Sequence, residues 1–313
     1  MIATANNRLR RLPARACPPR DLAAALRAVW QDCWRAADGG DVARALTNNL
    51  VVAVPAEDEA SGRDAIERVF PRTPCRAFLF LVSREDRPIE AELSVVTRRH
   101  GGVHDIVLEE VVVRMPKARL GGLPGLVRPL LMNDLPSHLY WRLDWPHDAV
   151  FGRALQELCD HVIVDSTHAV DAQAAVTRAG EWRRHGRRVT DLSWLRARPW
   201  RRALAEAFER IPYDPAQPHR GTIRCGKPGL ASALLLAQWL QARLGASVAV
   251  EVTDGREPDR LVLRSGEAEV SVESADEDLR IDVTTGSRCY LPCKQPASRG
   301  TEGDLLAAAV DVG

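Results

Sequence analysis

The run GTIRCGKP, residues 221–228, is the part of the sequence that comes nearest to a chemical motif. It places two glycines and Lys227 at the spacing of a phosphate-binding loop. The next position needs a Ser or Thr hydroxyl for magnesium, and Pro228 has neither a hydroxyl nor an amide hydrogen. A nucleotide site of this type is therefore not predicted. A weaker hypothesis is that Arg224 and Lys227 form an anion site before a helix N-terminus. The simpler alternative is an ordinary strand-to-helix turn.

A second polar group follows the apolar run VIV at residues 162–164. Asp165, Ser166 and His168 would stand at the end of a buried strand, where open α/β sheets collect ligands. No G-x-S-x-G elbow surrounds Ser166, and Asp or Ser is the expected cap of a helix that follows. The dinucleotide pattern G-x-G-x-x-G and a complete set of zinc ligands are also missing from the sequence. We therefore predict no catalytic residue, no cofactor and no metal.

Cys289 and Cys293 are candidate redox thiols within CYLPC. Their spacing matches neither the C-x-x-C of redox proteins nor a zinc knuckle. Residues four apart in an extended strand are separated by ~13 Å, so a disulfide would require a turn at Pro292. We expect two ordinary thiols.

Tryptophan and arginine are concentrated in DLSWLRARPWRRALAEAFE, residues 191–209. These two residue types are enriched in the hot spots of protein interfaces, which favours a partner-binding surface. The alternative is a core connector with arginine stems lying over buried rings. Trp200 fits the core, because Leu204 and Phe208 follow it at i+4 and i+8 on one helical stripe. The exposed candidates are then Trp194, Arg198, Arg201 and Arg202.

Hydrophobic periodicity predicts the elements that would position these residues. Apolar strand-like runs alternate with helical stripes up to about residue 211, which indicates an α/β domain with a mixed or mostly parallel sheet. A long apolar helix at 229–245 and four alternating runs follow it. They predict a smaller α+β domain with an antiparallel sheet and one long helix. The proline-rich run RIPYDPAQPHRG marks the boundary, so the predicted division is a loose lead 1–20, a domain 21–211 and a domain 212–313.

Composition limits the classes of function. The chain has 313 residues, 45% of them hydrophobic, with 43 Lys+Arg against 42 Asp+Glu. A formal charge of +1 gives no general attraction to nucleic acid or to an anionic membrane surface. We find no apolar run of membrane-spanning length and no signal peptide, and the seven cysteines have irregular spacing. A cytoplasmic protein with no nucleic acid or membrane partner is expected.

Two segments resemble a known family. PLLMNDLPSHLYWR is similar to the P-L-L-x-x-D-L-P-x-x-L-W-W segment of the glucose-6-phosphate dehydrogenase assembly protein OpcA family, with Tyr140 at the first Trp of the pair. DLSWLRARPWRRALAEAF is similar to its D-L-x-W-x-R-x-x-P-W-R segment. NLVVAV, PCRAFLFL, VIVDST and LLLAQWLQARLG follow the order of the family. The resemblance implies a bacterial, non-catalytic partner that assembles or allosterically activates glucose-6-phosphate dehydrogenase, the NADP-dependent enzyme that begins the oxidative pentose phosphate pathway.

The resemblance also suggests a use for the polar residues of the first segment. LPSHLYWR would be a core strand, while Asp134, Arg142 and the loop with Trp145 would reach a rim that the dehydrogenase contacts. Arg198, Arg201 and Arg202 would point toward acidic groups of the same partner. The alternative function is a small-molecule enzyme or sensor that binds a sugar phosphate at residues 165–168 or 224–227.

Overall fold

The computed structural model describes residues 9–36, 42–43, 46–100, 104–146, 148–209, 217–255, 258–286, 288–298 and 300–311. The chain forms two compact units. Unit 1 comprises Met1–Val164, Trp182–Thr190 and Glu302–Gly313, and unit 2 comprises Asp165–Glu181 and Asp191–Thr301. The predicted boundary at residues 211 and 212 lies outside the described residues and stays a prediction.

The strands and α-helices are numbered in chain order. The strands are β1 Leu9–Arg11, β2 Arg15–Cys17, β3 Val42–Ala43, β4 Asn48–Pro55, β5 Cys75–Ser83, β6 Glu90–His100, β7 His104–Pro116, β8 Ser137–Trp141, β9 His161–Val164, β10 Arg188–Asp191, β11 His219–Gly226, β12 Ser247–Thr253, β13 Pro258–Ser265, β14 Ala268–Ala275, β15 Asp278–Thr285, β16 Arg288–Cys289 and β17 Cys293–Pro296. The helices are α1 Leu22–Ala36, α2 Glu59–Val69, α3 Leu123–Val127, α4 Ala149–Leu158, α5 Ala172–Arg184, α6 Leu192–Arg196, α7 Arg198–Phe208, α8 Leu230–Leu244 and α9 Glu302–Asp311.

The first sheet has the strand order β1-β6-β7-β5-β4-β8-β9-β10, with β2 also on β6 and β3 on β7. Strands β4, β5, β7, β8 and β9 run parallel, whereas β6 is antiparallel to β7. The residues of β4 and β5 are almost all buried, which explains their continuous apolar sequences, since both faces of a central parallel strand are covered. The predicted α/β class with a mostly parallel sheet is confirmed.

Two short strands, β1 and β2, lie within residues 9–20 of the segment that was predicted to be a loose lead. Strands β1 and β2 both pair antiparallel with β6, in the registers Leu9↔Arg98 and Arg15↔Leu93. An edge strand presents unpaired amide and carbonyl groups, and a short segment without periodicity of its own can satisfy them. Pairing with β6 therefore accounts for the extended conformation of β1 and β2.

The second sheet has the order β12-β11-β13-β14-β15-β16, with β17 also on β15. Every pairing is antiparallel except β11 with β12. One face of the sheet packs on α7 and α8, around Trp200, Leu204 and Leu236. This arrangement confirms the predicted α+β class with an antiparallel sheet and a long helix. No helix in the described ranges is both long and apolar enough to cross a membrane.

In the run that resembled a phosphate loop, residues 221–226 belong to β11, a strand paired on both sides, and Lys227 and Pro228 begin the turn that follows. A Cβ on Gly221 would lie 2.9 Å from the Val262 carbonyl oxygen and 2.9 Å from Leu263 Cδ1. Close strand packing therefore requires the first glycine of the run, and phosphate binding is not needed to account for it.

Candidate partner-binding surface

The surface predicted from Trp194 and the arginines is built by a short helix followed directly by a longer one. Asp191 ends β10 and caps α6, because its carboxylate accepts a hydrogen bond of 2.9 Å from the Ser193 amide. Helix α6 ends at Arg196, and after the single residue Ala197 helix α7 starts with Pro199 near its beginning, where the fixed φ of proline suits a helix. The tight connection brings Trp194 and Arg201 into contact.

Arg201 stacks on Trp194. Its guanidinium carbon lies 3.5 Å from the ring centroid of Trp194, and its Nη2 donates a hydrogen bond of 3.2 Å to the Trp194 carbonyl. Trp194 in turn contacts Trp239 of α8 edge-to-face, with 6.4 Å between ring centroids. The Nε of Arg201 is buried without a hydrogen-bond partner. Burial, and next the positive charge of Arg198, lower the pKa of Arg201 to about 10.

Positive charge accumulates at the beginning of α7. Arg198 and Arg202 are exposed, and Arg201 is half-buried. Within the part of the chain that the structure describes, none of the three forms an ion pair with a carboxylate. The first turn of α7 contains no acidic residue, and Ala197 provides no side-chain cap. Because a helix N-terminus carries a positive partial charge, cations there are unfavourable by roughly 0.3–1 kcal/mol each unless an anion is bound.

We call Trp194, Arg198, Arg201 and Arg202 the α7 arginine surface. It offers one stacked, partly desolvated guanidinium between two exposed ones, which suits a carboxylate or another anionic group of a partner. Trp200 takes no part in it: its side chain is 1% exposed and lies in the core of unit 2 with Leu204, as the helical spacing predicted.

The remaining predicted interface residues are not brought together. Asp134 lies exposed in the turn before β8, whereas Arg142 follows the other end of that strand. Five residues of extended chain separate the two positions by ~17 Å. Trp145 is half-buried and packs edge-to-face on Trp182 with 4.8 Å between centroids. The structure thus gives no common rim for these three residues.

Arg142 is a buried structural residue and does not reach an exposed rim. Its side chain is 6% exposed. The guanidinium donates hydrogen bonds of 2.8 Å to Asp58, 2.7 Å to the Ser61 hydroxyl and 3.0 Å to Glu302, which also accepts one of 2.7 Å from Tyr140. Two carboxylates compensate its burial, so Arg142 holds α2 and α9 against the end of β8.

The polar strand end at residues 165–168 is an internal cross-link. Arg196 of α6 donates two hydrogen bonds of 2.6 Å, one to each carboxylate oxygen of Asp165. Ser166 donates one of 2.5 Å to Asp191, whose pKa is raised by burial. Asp165 also caps the turn through the Thr167 amide at 3.2 Å. The carboxylates are occupied by arginine and by caps, as expected for structural residues.

The predicted anion turn and the predicted thiol pair are also placed by the structure. Arg224 is exposed and pairs with Asp259 at 2.8 Å, which offsets its charge, and Lys227 is exposed in the turn before α8. Cys289 is exposed on β16, whereas the Sγ of Cys293 lies 3.2 Å from Glu206 Oε1 of α7.

Three contacts made by these residues or near them were not predicted from the sequence. Trp239, which supports Trp194, belongs to the apolar helix that was interpreted only as core. The Asp165–Arg196 pair joins positions 31 residues apart, and no local spacing signals it. The contact between His138 and His161 follows from the parallel pairing of β8 with β9. The alternation of strands and helices in the sequence is compatible with this pairing but does not specify it.

Together, the two units are α/β and α+β, and the beginning of α7 carries a cationic, aromatic surface. Residues 67–181 match a family model described as "Glucose-6-phosphate dehydrogenase subunit N-terminal domain", and residues 187–310 match the corresponding "C-terminal domain" model. The two matches cover most of the chain. The chain belongs to the OpcA family of glucose-6-phosphate dehydrogenase assembly proteins.

Named relatives occur in cyanobacteria. The chain is 31% identical over 179 residues to OxPP cycle protein OpcA of Nostoc punctiforme, which covers 55% of this chain and 38% of that protein. It is 26% identical over 186 residues to OxPP cycle protein OpcA of Synechococcus elongatus, covering 56% and 40%. The chain thus spans about two fifths of the length of the relatives it matches.

Among solved structures, the chain is similar to a 3-ketoreductase from Actinomadura kijaniata in complex with TDP-benzene and NADP. The identity is 11%, the TM-score is 0.46, and the alignment covers 85% of this chain and 88% of the other.

Proposed function

We propose that this protein is a non-catalytic assembly factor and allosteric activator of glucose-6-phosphate dehydrogenase, acting in the cytoplasm. The observation that carries the proposal is the match to both glucose-6-phosphate dehydrogenase subunit models along the chain. The names of the bacterial relatives, OxPP cycle proteins, agree with a role beside that enzyme. The partner would therefore be the dehydrogenase itself.

The α7 arginine surface supports the proposal with a specific docking chemistry. A carboxylate of the dehydrogenase placed at the beginning of α7 would meet Arg198 and Arg202 and the positive end of the helix. Arg201 needs little ordering on binding, because Trp194 already holds its guanidinium in place. Preorganised charge of this kind speeds association and selects acidic partners.

Activation would arise from differential binding. If the conformation or oligomer that is active presents its acidic group to the α7 arginine surface better than the inactive one does, binding shifts the equilibrium toward activity. A coupling of about 1–3 kcal/mol corresponds to an effect of roughly 5- to 150-fold. No residue of this chain needs to touch the substrate in such a mechanism.

Charge reversal at the exposed arginines tests the proposal. The variant Arg198→Glu with Arg202→Glu should weaken the complex with the host's dehydrogenase at least about tenfold at low salt, and flatten its salt dependence. Arg201 is left intact because its removal would disturb Trp194. The control is Arg84→Glu with Arg119→Glu, which makes the same change in net charge at exposed positions of unit 1. Affinity and activation would be followed by co-purification and by dehydrogenase kinetics.

The outcomes distinguish a wrong docking surface from a wrong proposed function. If both variants activate like the wild type, the α7 arginine surface is not the docking site. If the wild-type protein neither binds the dehydrogenase nor changes its kinetics, the proposed function is wrong. A rise in melting temperature with glucose 6-phosphate or NADP alone would then favour the alternative, a small-molecule enzyme or sensor, because ligand binding stabilises the folded state.

A further inference from the structure

Strand β12 is an open edge of the second sheet. Among the described strands it pairs only with β11, in an uninterrupted parallel register from Arg220↔Ser247 to Gly226↔Thr253. The strand, SVAVEVT, contains no proline, no lysine and no bulge. Proteins usually protect an edge strand with such features, because its unpaired backbone groups recruit another strand. Within the described residues, no strand occupies the other side of β12.

One face of β12 is apolar and only partly covered. Val248 and Val250 form the floor of an open groove of about 490 Å³ beside α8. Val252, on the same face, is 55% exposed, which makes it one of the few large apolar side chains on the surface of the described residues. A strand added at this edge would continue the apolar row and cover Val252.

Helix α8 presents a matching stripe to the groove. Leu234, Ala237, Gln238 and Gln241 line it at the helical spacing i, i+3, i+4 and i+7. The stripe is uncharged, with a small residue at its centre. Such a stripe suits close packing against another helix, and its two amides can pair with amides across a symmetric contact.

The sequence of β12 is complementary to itself. A twofold axis through Val250 would pair two copies of the strand antiparallel over their full length, with Val248 opposite Val252 and Ala249 opposite Glu251. A shift of one residue would place the valine face opposite the polar face. A shift of two toward the C-terminus would set Glu251 opposite Glu251, which is unfavourable. A shift of two toward the N-terminus would leave Val252 without a partner residue. The register centred on Val250 is therefore the one that pairs all three valines without setting Glu251 opposite Glu251.

The spacing of the helices fits the same arrangement. Helix α8 packs on β12 and β11. Because neighbouring strands are ~4.8 Å apart, a helix above the β11–β12 pair lies ~5 Å from the proposed axis. The two α8 helices would then be ~10 Å apart and antiparallel, which is a normal distance for packed helices.

We propose that a second copy of this chain binds at the β12 edge, so that two second sheets join into one continuous sheet beneath an α8–α8 contact. The interface contains six valines, contributed by positions 248, 250 and 252 of both copies. This self-association is independent of the proposed role beside glucose-6-phosphate dehydrogenase.

Two substitutions at one exposed position test the register. Ala249 faces away from α8. In the dimer, Ala249 of each copy lies opposite Glu251 of the other copy, so the pair occurs twice. Ala249→Glu should weaken dimerisation, whereas Ala249→Lys should preserve or tighten it, with dissociation constants that differ at least about tenfold. Ala249→Glu combined with Glu251→Lys should restore the dimer. Sedimentation velocity of the full chain at concentrations up to about 100 µM measures each constant, and circular dichroism verifies the fold.

A wild-type protein that remains monomeric over this range would overturn the proposal. A dimer whose constant is the same for both Ala249 variants would overturn it as well, because self-association would then use another surface. Failure of the double variant to recover affinity, with its fold intact, would exclude the register centred on Val250.

Discussion

His138 and His161 form a buried contact inside unit 1. Their Nδ1 atoms are 3.2 Å apart, His138 Nε2 lies 3.2 Å from Asn48 Oδ1, and His161 Nε2 lies 2.9 Å from the Thr190 hydroxyl. Two neutral rings satisfy all three hydrogen bonds if Thr190 donates to His161, His161 donates to His138, and His138 donates to Asn48. A further proton on His138 would set two N–H groups against each other, and burial disfavours a charge on either ring. Neutral histidines are therefore part of the folded state.

Burial lowers the pKa of both histidines, and with the charge of Arg188 it brings the pKa of His161 to about 3. The unfolded chain, with an ordinary histidine pKa of about 6.5, binds the proton more readily. The stabilising contribution of His161 is thus complete above about pH 6.5 and is lost as the pH falls from there toward about 3.

We predict that the difference in free energy of unfolding between wild type and His161→Gln is largest near pH 7.5 and shrinks by up to ~1.4 kcal/mol per pH unit below about pH 6.5. Urea denaturation at several pH values measures it. His185→Gln, at an exposed position, is the matched control for the loss of a histidine. A difference for His161→Gln that stays constant down to about pH 5 would contradict this account.

At the scale of elements, the two candidate redox thiols belong to different faces of the second sheet. Cys289 pairs with Thr284 of β15, and Cys293 pairs with Ile281 of the same strand. Three residues along a strand span ~10 Å and reverse the face, so Cys293 packs on the core while Cys289 points outward. A disulfide needs Cα atoms within about 7 Å.

Mild oxidation should therefore leave Cys289 and Cys293 unlinked. Mass spectrometry of the peptide with both cysteines should show no loss of two hydrogens, and iodoacetamide should label the exposed Cys289 faster than Cys293. The same treatment in urea is a positive control, because the unfolded chain can bring the two thiols together. A reversible intramolecular link in the folded protein would show that β16 or β17 detaches from β15.

At the scale of the whole molecule, the chain returns to unit 1 for its last helix. Residues up to 313 were predicted to belong to the second domain, whereas α9 packs on α2 in unit 1. Leu305 and Leu306 are buried, and Thr73 donates a hydrogen bond of 2.5 Å to Asp311. Gly303 permits a close approach, since a Cβ there would lie 2.6 Å from Arg68 Cγ and 3.3 Å from Ala65 Cα.

Gly303→Val should destabilise unit 1 by ~1–3 kcal/mol, because the added methyl groups force α9 away from α2. Ala308→Val, at a half-buried position of the same helix, is the control and should cost less than ~1 kcal/mol. Chemical denaturation measures both. Equal effects of the two substitutions would show that α9 does not require close contact at Gly303.

The sequence by itself determined the elements and the fold class. Continuous apolar runs specified β4 and β5, the alternation of apolar and polar residues specified the second sheet, and the stripe of Trp200, Leu204 and Phe208 placed Trp200 in the core. These signals are local, because the periods of 2 and 3.6 residues are visible within one element. The proximity of Trp194 and Arg201 could be predicted for the same reason, because they are only seven positions apart in the sequence, on two helices joined by a tight connection.

Only the tertiary structure decided which polar residues are exposed and which are used internally. Arg142 was expected at a rim, but Asp58 and Glu302, far away in sequence, bind it in the interior. The faces of Cys289 and Cys293 depend on their register with β15, and the place of α9 depends on α2. These contacts join segments whose separation along the chain leaves no periodic signal. Tertiary packing determines which residue pairs with a charged side chain, whereas the spacing of residues in the sequence indicates only which face of one helix or strand the side chain occupies.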